Sequence, residues 1–79
     1  MSNSIPIAVV EKNRTEEVRI SLDVLHGRRL FNTRVYYEVG DGTKRPGKAG
    51  LALRLECLES FVEAVTTALM TARAKGYLK

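Results

Sequence analysis

Little in this sequence can staple a small fold from within. A single cysteine, Cys57, excludes an internal disulfide. With only one histidine, His26, far from that cysteine, no spacing suits a zinc site. No stretch approaches the 18 or so consecutive apolar residues of a membrane span. The start, Met1-Ser-Asn-Ser-Ile-Pro-Ile, lacks the basic opening and long apolar core of a secretion signal. These absences lead to an expectation of no metal, no cofactor, no membrane and a cytoplasmic setting, where a lone thiol stays reduced.

Catalytic sets are equally thin. A general base, a nucleophile and an orienting group should be available together, yet His26 stands alone in a turn-like stretch. Cys57 falls where a helix should begin, a place that can activate a thiol, but a partly buried structural cysteine accounts for it. Glu56, Glu59 and Glu63 sit where they complement a helix dipole. The glycine-rich stretch 40–50 lacks the Gly-x-x-x-x-Gly-Lys-Ser/Thr order of a nucleotide loop. The expectation is that the chain is not an enzyme.

What is present is size enough for one domain and charge in one place. A chain of 79 residues buries only about 60% of its unfolded surface, which leaves a lone monomer marginal. Without disulfide or metal, self-association is the remaining source of stability. Residues 18–55 carry Arg19, Arg28, Arg29, Arg34, Lys44, Arg45, Lys48 and Arg54 against Asp23, Glu38 and Asp41, an excess of five positive charges. Residues 1–17 have one net negative charge and residues 56–79 none, so the overall +4 comes from the middle. That distribution points to a polyanion-binding surface made by one part of the fold.

The periodicity changes along the chain. Residues 1–15 read as an N-terminal arm whose first few positions are mobile; Pro6 permits an edge strand or a packed arm but not a central strand. From Glu17, Val18, Ile20, Leu22 and Val24 alternate with Arg19, Ser21 and Asp23, the mark of a half-buried strand. His26-Gly27 reads as a tight turn. Residues 29–38 form a second strand with Phe31, Thr33 and Val35 toward the core and Asn32 and Arg34 opposite. Tyr37 shares the parity of the core set but stands at the strand end beside a glycine-rich loop, where a bulge could re-aim it. After Asp41-Gly42, a short strand over 43–45, a turn at Pro46-Gly47 and a leucine strand over 51–55 are expected. From Glu56, Leu58, Phe61, Val62, Val65, Leu69 and Ala72 fall at helical spacing, with Gly76 as the C-terminal cap. The domain, residues 16–79, is thus expected to be α+β: a four-stranded antiparallel sheet followed by one long C-terminal helix, β-β-β-β-α. The helix covers one face and leaves the other open.

Basic residues interleaved with aromatics on strands and hairpins suit a single strand of nucleic acid, with cations on phosphates and rings under bases. The one helix, apolar along a stripe and acidic at its start, is unsuited to a major groove. From spacing alone, Tyr36 and Tyr37 read equally as stacking platforms or as packing at the rim of the core.

The segments Arg19-Ile-Ser-Leu-Asp-Val-Leu-His-Gly, Arg34-Val-Tyr-Tyr-Glu and Lys44-Arg-Pro-Gly-Lys-Ala-Gly-Leu-Ala-Leu, in this order and spacing, resemble the positive cofactor four family of transcriptional coactivators. The resemblance covers roughly residues 16–72. It implies a homodimer whose paired sheets bind single-stranded nucleic acid, DNA ahead of RNA. It implies phosphate contacts from Arg28, Arg34, Arg45 and Lys48, and a stacking ring at Tyr37 in the place of a tryptophan. Leu25 and Ala49 depart from the pattern, standing where the family presents a phenylalanine and a lysine. The compact chain is most similar to small bacterial or phage-type members, nucleoid-associated if bacterial, acting as transcriptional coregulators. Transcription or replication proteins are expected as further partners. The competing reading is a protein-interaction adaptor, docking a polymerase, replication or repair partner, with little nucleic-acid binding of its own.

Overall fold

The structure, a computed structural model, describes residues 3–78. Part of the expected mobile start, Met1 and Ser2, lies outside the described residues. Four strands, β1 (Asn3–Glu11), β2 (Glu16–Leu25), β3 (Arg28–Glu38) and β4 (Lys44–Arg54), precede a 3-10 turn (Leu55–Cys57) and one helix, α1 (Leu58–Ala74). All neighbouring strands are antiparallel, in the order β1-β2-β3-β4. The expected class holds.

The strand count matches expectation, but its composition does not. The arm supplies β1, and the two short strands expected at 43–45 and 51–55 are one strand, β4. Proline explains both differences. Pro6 and Pro46 lie in β1 and β4, the two edge strands, where a missing N–H need not break a ladder. Irregular register accompanies each. The β1–β2 pairing shifts between Pro6 and Ala8, and the β3–β4 pairing shifts between Arg34 and Tyr36. On β4 that second shift absorbs Gly47, Lys48 and Ala49 between Gly50 and Pro46, a bulge rather than the expected turn.

Local chemistry closes each connection. Asn13 Oδ1 accepts from the backbone N–H groups of Thr15 and Glu16 at 3.0 and 2.9 Å, turning β1 into β2. His26 and Gly27 both have positive φ, 52° and 76°, as a two-residue type I′ hairpin requires. Asp41 accepts from the Thr43 hydroxyl and N–H in the β3–β4 loop. At the end of α1, the N–H groups of Gly76 and Tyr77 bond to the carbonyls of Arg73 and Ala72, a Schellman cap. No side chain caps the start of α1.

Register sorts the sheet into two faces. Val18, Ile20, Leu22, Val35, Thr33 and Phe31 share one face with Leu51 and Leu53. Phe61 of α1 meets that face, its ring 6.0 Å from the ring of Phe31. Contrary to expectation, the helix does not cover the face. Leu58, Phe61 and Ala72 are half-buried, whereas Val62, Val65 and Leu69 are exposed. No described side chain is fully buried. The chain measures 45 × 37 × 18 Å with a radius of gyration of 14.8 Å, against about 12 Å for a compact chain of this length. It exposes 6584 Å², where a folded monomer of 8.8 kDa exposes about 4,800 Å².

Candidate nucleic-acid interface

The face turned away from Phe61 carries Arg19, Ser21 and Asp23 of β2 opposite Arg34, Asn32 and Leu30 of β3. With Ser4, Pro6 and Val9 of β1, all of these but Leu30 line a cleft of about 460 Å³. Tyr36, not Tyr37, is the aromatic of this face, and the Arg19 guanidinium carbon lies 4.0 Å from its ring centre. Alternation alone could have identified it, since Tyr36 is two residues from Arg34.

Asp23 is the polar anchor of the cleft. Its Oδ1 accepts from the hydroxyls of Ser4 and Ser21 at 2.6 and 2.9 Å, and its Oδ2 from Asn32 Nδ2 at 3.0 Å. The Ser4 bond above all holds the carboxyl below its ordinary range; desolvation, the next largest influence, opposes it, and Ser21, Asn32 and the nearby Arg34 charge add to the lowering. A depressed carboxylate contributes stability above its unfolded pKa, near 3.9, and that contribution is lost as pH falls through the folded value. The melting-temperature advantage of wild type over Asp23→Asn is therefore expected to be full at pH 6 and to shrink below about pH 4. Melting curves of both proteins between those values check it, and a gap independent of pH would refute it.

The five residues singled out from sequence are not all on one face. Arg34 is on the polar face and Arg28, opposite Leu25, shares its parity. Tyr37 pairs with Glu16 on one side and Arg45 on the other, on the apolar face with Val35. The β2–β3 register runs without a break, so no bulge in β3 re-aims that ring. It nevertheless remains 42% exposed.

The β4 bulge brings four of the five together from opposite faces. Arg34 Nη1–H donates to the Gly47 carbonyl at 3.0 Å. From the other side the Tyr37 ring lies against Gly47, where a Cβ would stand 3.5 Å from its Cδ1. Lys48 is the next residue of the bulge, and Arg45 is the cross-strand neighbour of Tyr37. Arg28 is apart, six residues from Arg34 along β3, or about 20 Å at strand rise.

Charge pairing separates the cations. Glu17 holds both Arg19 and Lys44, at 2.6 and 3.0 Å, and Glu16 holds Lys12. Among the described residues, Arg28, Arg34, Arg45 and Lys48 form no ion pair within 4.0 Å. Arg29 joins them, a cation that the sequence reading left out of the site. Cys57, expected to be partly buried, is exposed, because the 3-10 turn leaves the sheet before α1 begins.

Among the described residues, no helix is long and apolar enough to cross a membrane, and no group of three His, Cys, Asp or Glu could hold a metal. A family model described as Transcriptional Coactivator p15 (PC4) matches residues 12–64. A PC4 homologue from Burkholderia pseudomallei is similar in two crystal forms. The orthorhombic form gives 32% identity over 80% of this chain and 85% of that one, at a TM-score of 0.73. The tetragonal form gives 30% over 84% and 97%, at 0.75. A bacteriophage T5 homologue of the eukaryotic coactivator PC4, implicated in recombination-dependent DNA replication, has a TM-score of 0.69 at 19% identity, over 90% of this chain and 82% of that one. At that identity the likeness is one of fold. Among curated proteins no match is found.

Proposed function

Because the chain belongs to the PC4 family of transcriptional coactivators, we propose that it binds single-stranded nucleic acid, DNA ahead of RNA, as a non-catalytic homodimer. One observation carries this reading. The four cations Arg28, Arg34, Arg45 and Lys48 have no carboxylate partner among the described residues, while Arg19 and Lys44 on the same sheet are paired. Unpaired cations on a rigid sheet are what a phosphate backbone needs. The accessible Tyr37 ring beside the bulge offers a face on which a base can stack, worth ~1–3 kcal/mol per base. No described element presents a basic helix to a duplex groove.

The dimer reading rests on surface area. The protomer exposes some 1,800 Å² more than the ~4,800 Å² typical of its mass. Obligate interfaces remove amounts of this order from each partner. Val62, Val65, Leu69 and Met70 of α1 are the exposed apolar residues that such a seam would cover. Light scattering is expected to give twice the 8.8 kDa chain mass.

In a titration, oligo-deoxythymidine is expected to bind well ahead of a duplex of the same length. Log affinity should fall with log salt at a slope of about −0.7 per neutralised phosphate. Equal affinity for both forms would sink the reading. A dimer that ignores either nucleic acid at low salt would favour the adaptor.

A further inference from the structure

A second basic site lies at the end of the sheet remote from the bulge. Gly27, Arg28, Arg29, Arg54, Leu55 and Glu56 line a cleft of about 610 Å³ between the β2–β3 turn and the exit of β4. Register explains the convergence. Arg54 lies opposite Leu30, so Arg28, two residues earlier on β3, is its diagonal neighbour on the same face. Arg29 reaches the cleft from the other face of the strand. Arg28 and Arg29 form no ion pair among the described residues, and Arg54 meets Glu56 only at 4.0 Å with both side chains largely exposed. Such a contact supplies little neutralisation.

Three guanidinium groups against one carboxylate leave the cleft with an excess of two positive charges. Clustering like charges costs stability unless an anion sits among them. A backbone phosphodiester carries one negative charge. A terminal phosphate monoester carries about −1.5 to −2 at neutral pH and three acceptor oxygens, the closer match in both charge and hydrogen-bonding capacity. Arginine forks suit such oxygens because they bind them in pairs. The cleft also lies at the end of the sheet, beside the β2–β3 turn, rather than across it.

We propose that Arg28, Arg29 and Arg54 form a seat for the terminal phosphate of a single strand. This site deepens, and rests on, the single-strand reading above. Three internally labelled oligo-deoxythymidines test it: one with a 5′-phosphate, one with a 3′-phosphate and one with hydroxyls at both ends. One phosphorylated form is expected to bind about tenfold tighter than the hydroxyl form, the gain of one charge-assisted hydrogen bond. The Arg29→Ala/Arg54→Ala double variant should lose that preference, binding all three forms with equal affinity. Equal binding of all three by wild type overturns the seat and leaves single-strand binding standing. So does a double variant that weakens all three alike, since the cleft then serves backbone diesters.

A second arm needs no nucleic acid. At equal ionic strength, inorganic phosphate is expected to raise the wild-type melting temperature above that in chloride, and to raise that of the double variant less. The comparison between proteins removes the general salting effect of phosphate. An identical rise in both overturns the seat whatever the oligonucleotides do. If no oligonucleotide binds while the phosphate shift persists, both the terminal-strand assignment and the single-strand reading fail.

Discussion

Gly50→Ala is expected to be the most damaging single-methyl change in this chain. A Cβ at Gly50 would collide with the Thr33 carbonyl oxygen and stand 3.1 Å from Arg34 Cα. Both atoms are backbone of β3, so no side chain can swing away to make room. Strands β3 and β4 must separate where Arg34 pairs with Gly50, at the edge of the bulge. Overpacking of this kind costs about 1–3 kcal/mol, with rigid surroundings toward the upper end. For a domain of this size each kcal/mol is worth about 4–8 °C in Tm, so a loss of roughly 10–20 °C is expected. Gly40→Ala provides the control, because nothing lies within 4 Å of its added methyl. Gly47→Ala should fall between them, its Cβ 3.1 Å from the Val35 carbonyl but otherwise against the side of the Tyr37 ring. Thermal melts of the three variants decide the matter. Were Gly50→Ala to melt within a degree or two of Gly40→Ala, the close approach of β4 to β3 would be wrong, and the bulge geometry with it.

The same two strands show what could be read from sequence and what could not. Strand β3 was legible because Phe31, Thr33 and Val35 alternate with Asn32 and Arg34, and its register against β2 is uninterrupted. The helix was legible from its stripe, and its end from Gly76. Strand β4 was hidden because Pro46-Gly47 has the composition of a turn. Only the strand order, which makes β4 an edge, allows a proline and a three-residue bulge there. Strand β1 was obscured for the same reason at Pro6. Its apolar run, Ile5 to Val10, also lacks the alternation that identifies a half-covered strand.

The candidate site divides along the same line. Arg34 was placed by parity alone. The gathering of Tyr37, Arg45 and Lys48 around it depends on the β4 bulge, a long-range feature with no local signature. Tyr36 and Arg29 lay within reach of the pattern, one sharing Arg34's parity and the other adjoining Arg28.

Arg34→Ala is expected to weaken binding of oligo-deoxythymidine by about ten- to a hundredfold, the range of one hydrogen-bonded charge. The residue has one observed duty and one proposed duty, which this number alone cannot separate. One guanidinium N–H holds the Gly47 carbonyl at 3.0 Å and so shapes the bulge. The guanidinium has five N–H donors in all, and the remaining four are available to a phosphate. The salt dependence distinguishes the two. Loss of a phosphate contact makes the slope of log affinity on log salt shallower by about 0.7, whereas a distorted bulge weakens binding at every salt concentration alike. Arg34→Lys sharpens the distinction, since it keeps the charge and surrenders the fork. Its slope should match wild type while its affinity falls between wild type and Arg34→Ala. Tyr37→Ala is the complementary control, expected to lower affinity through lost stacking with no change of slope. If Arg34→Ala and Tyr37→Ala both leave the slope untouched, Arg34 is a brace for the β4 bulge, and the phosphate contacts must be sought at Arg45, Lys48 and Arg28 instead.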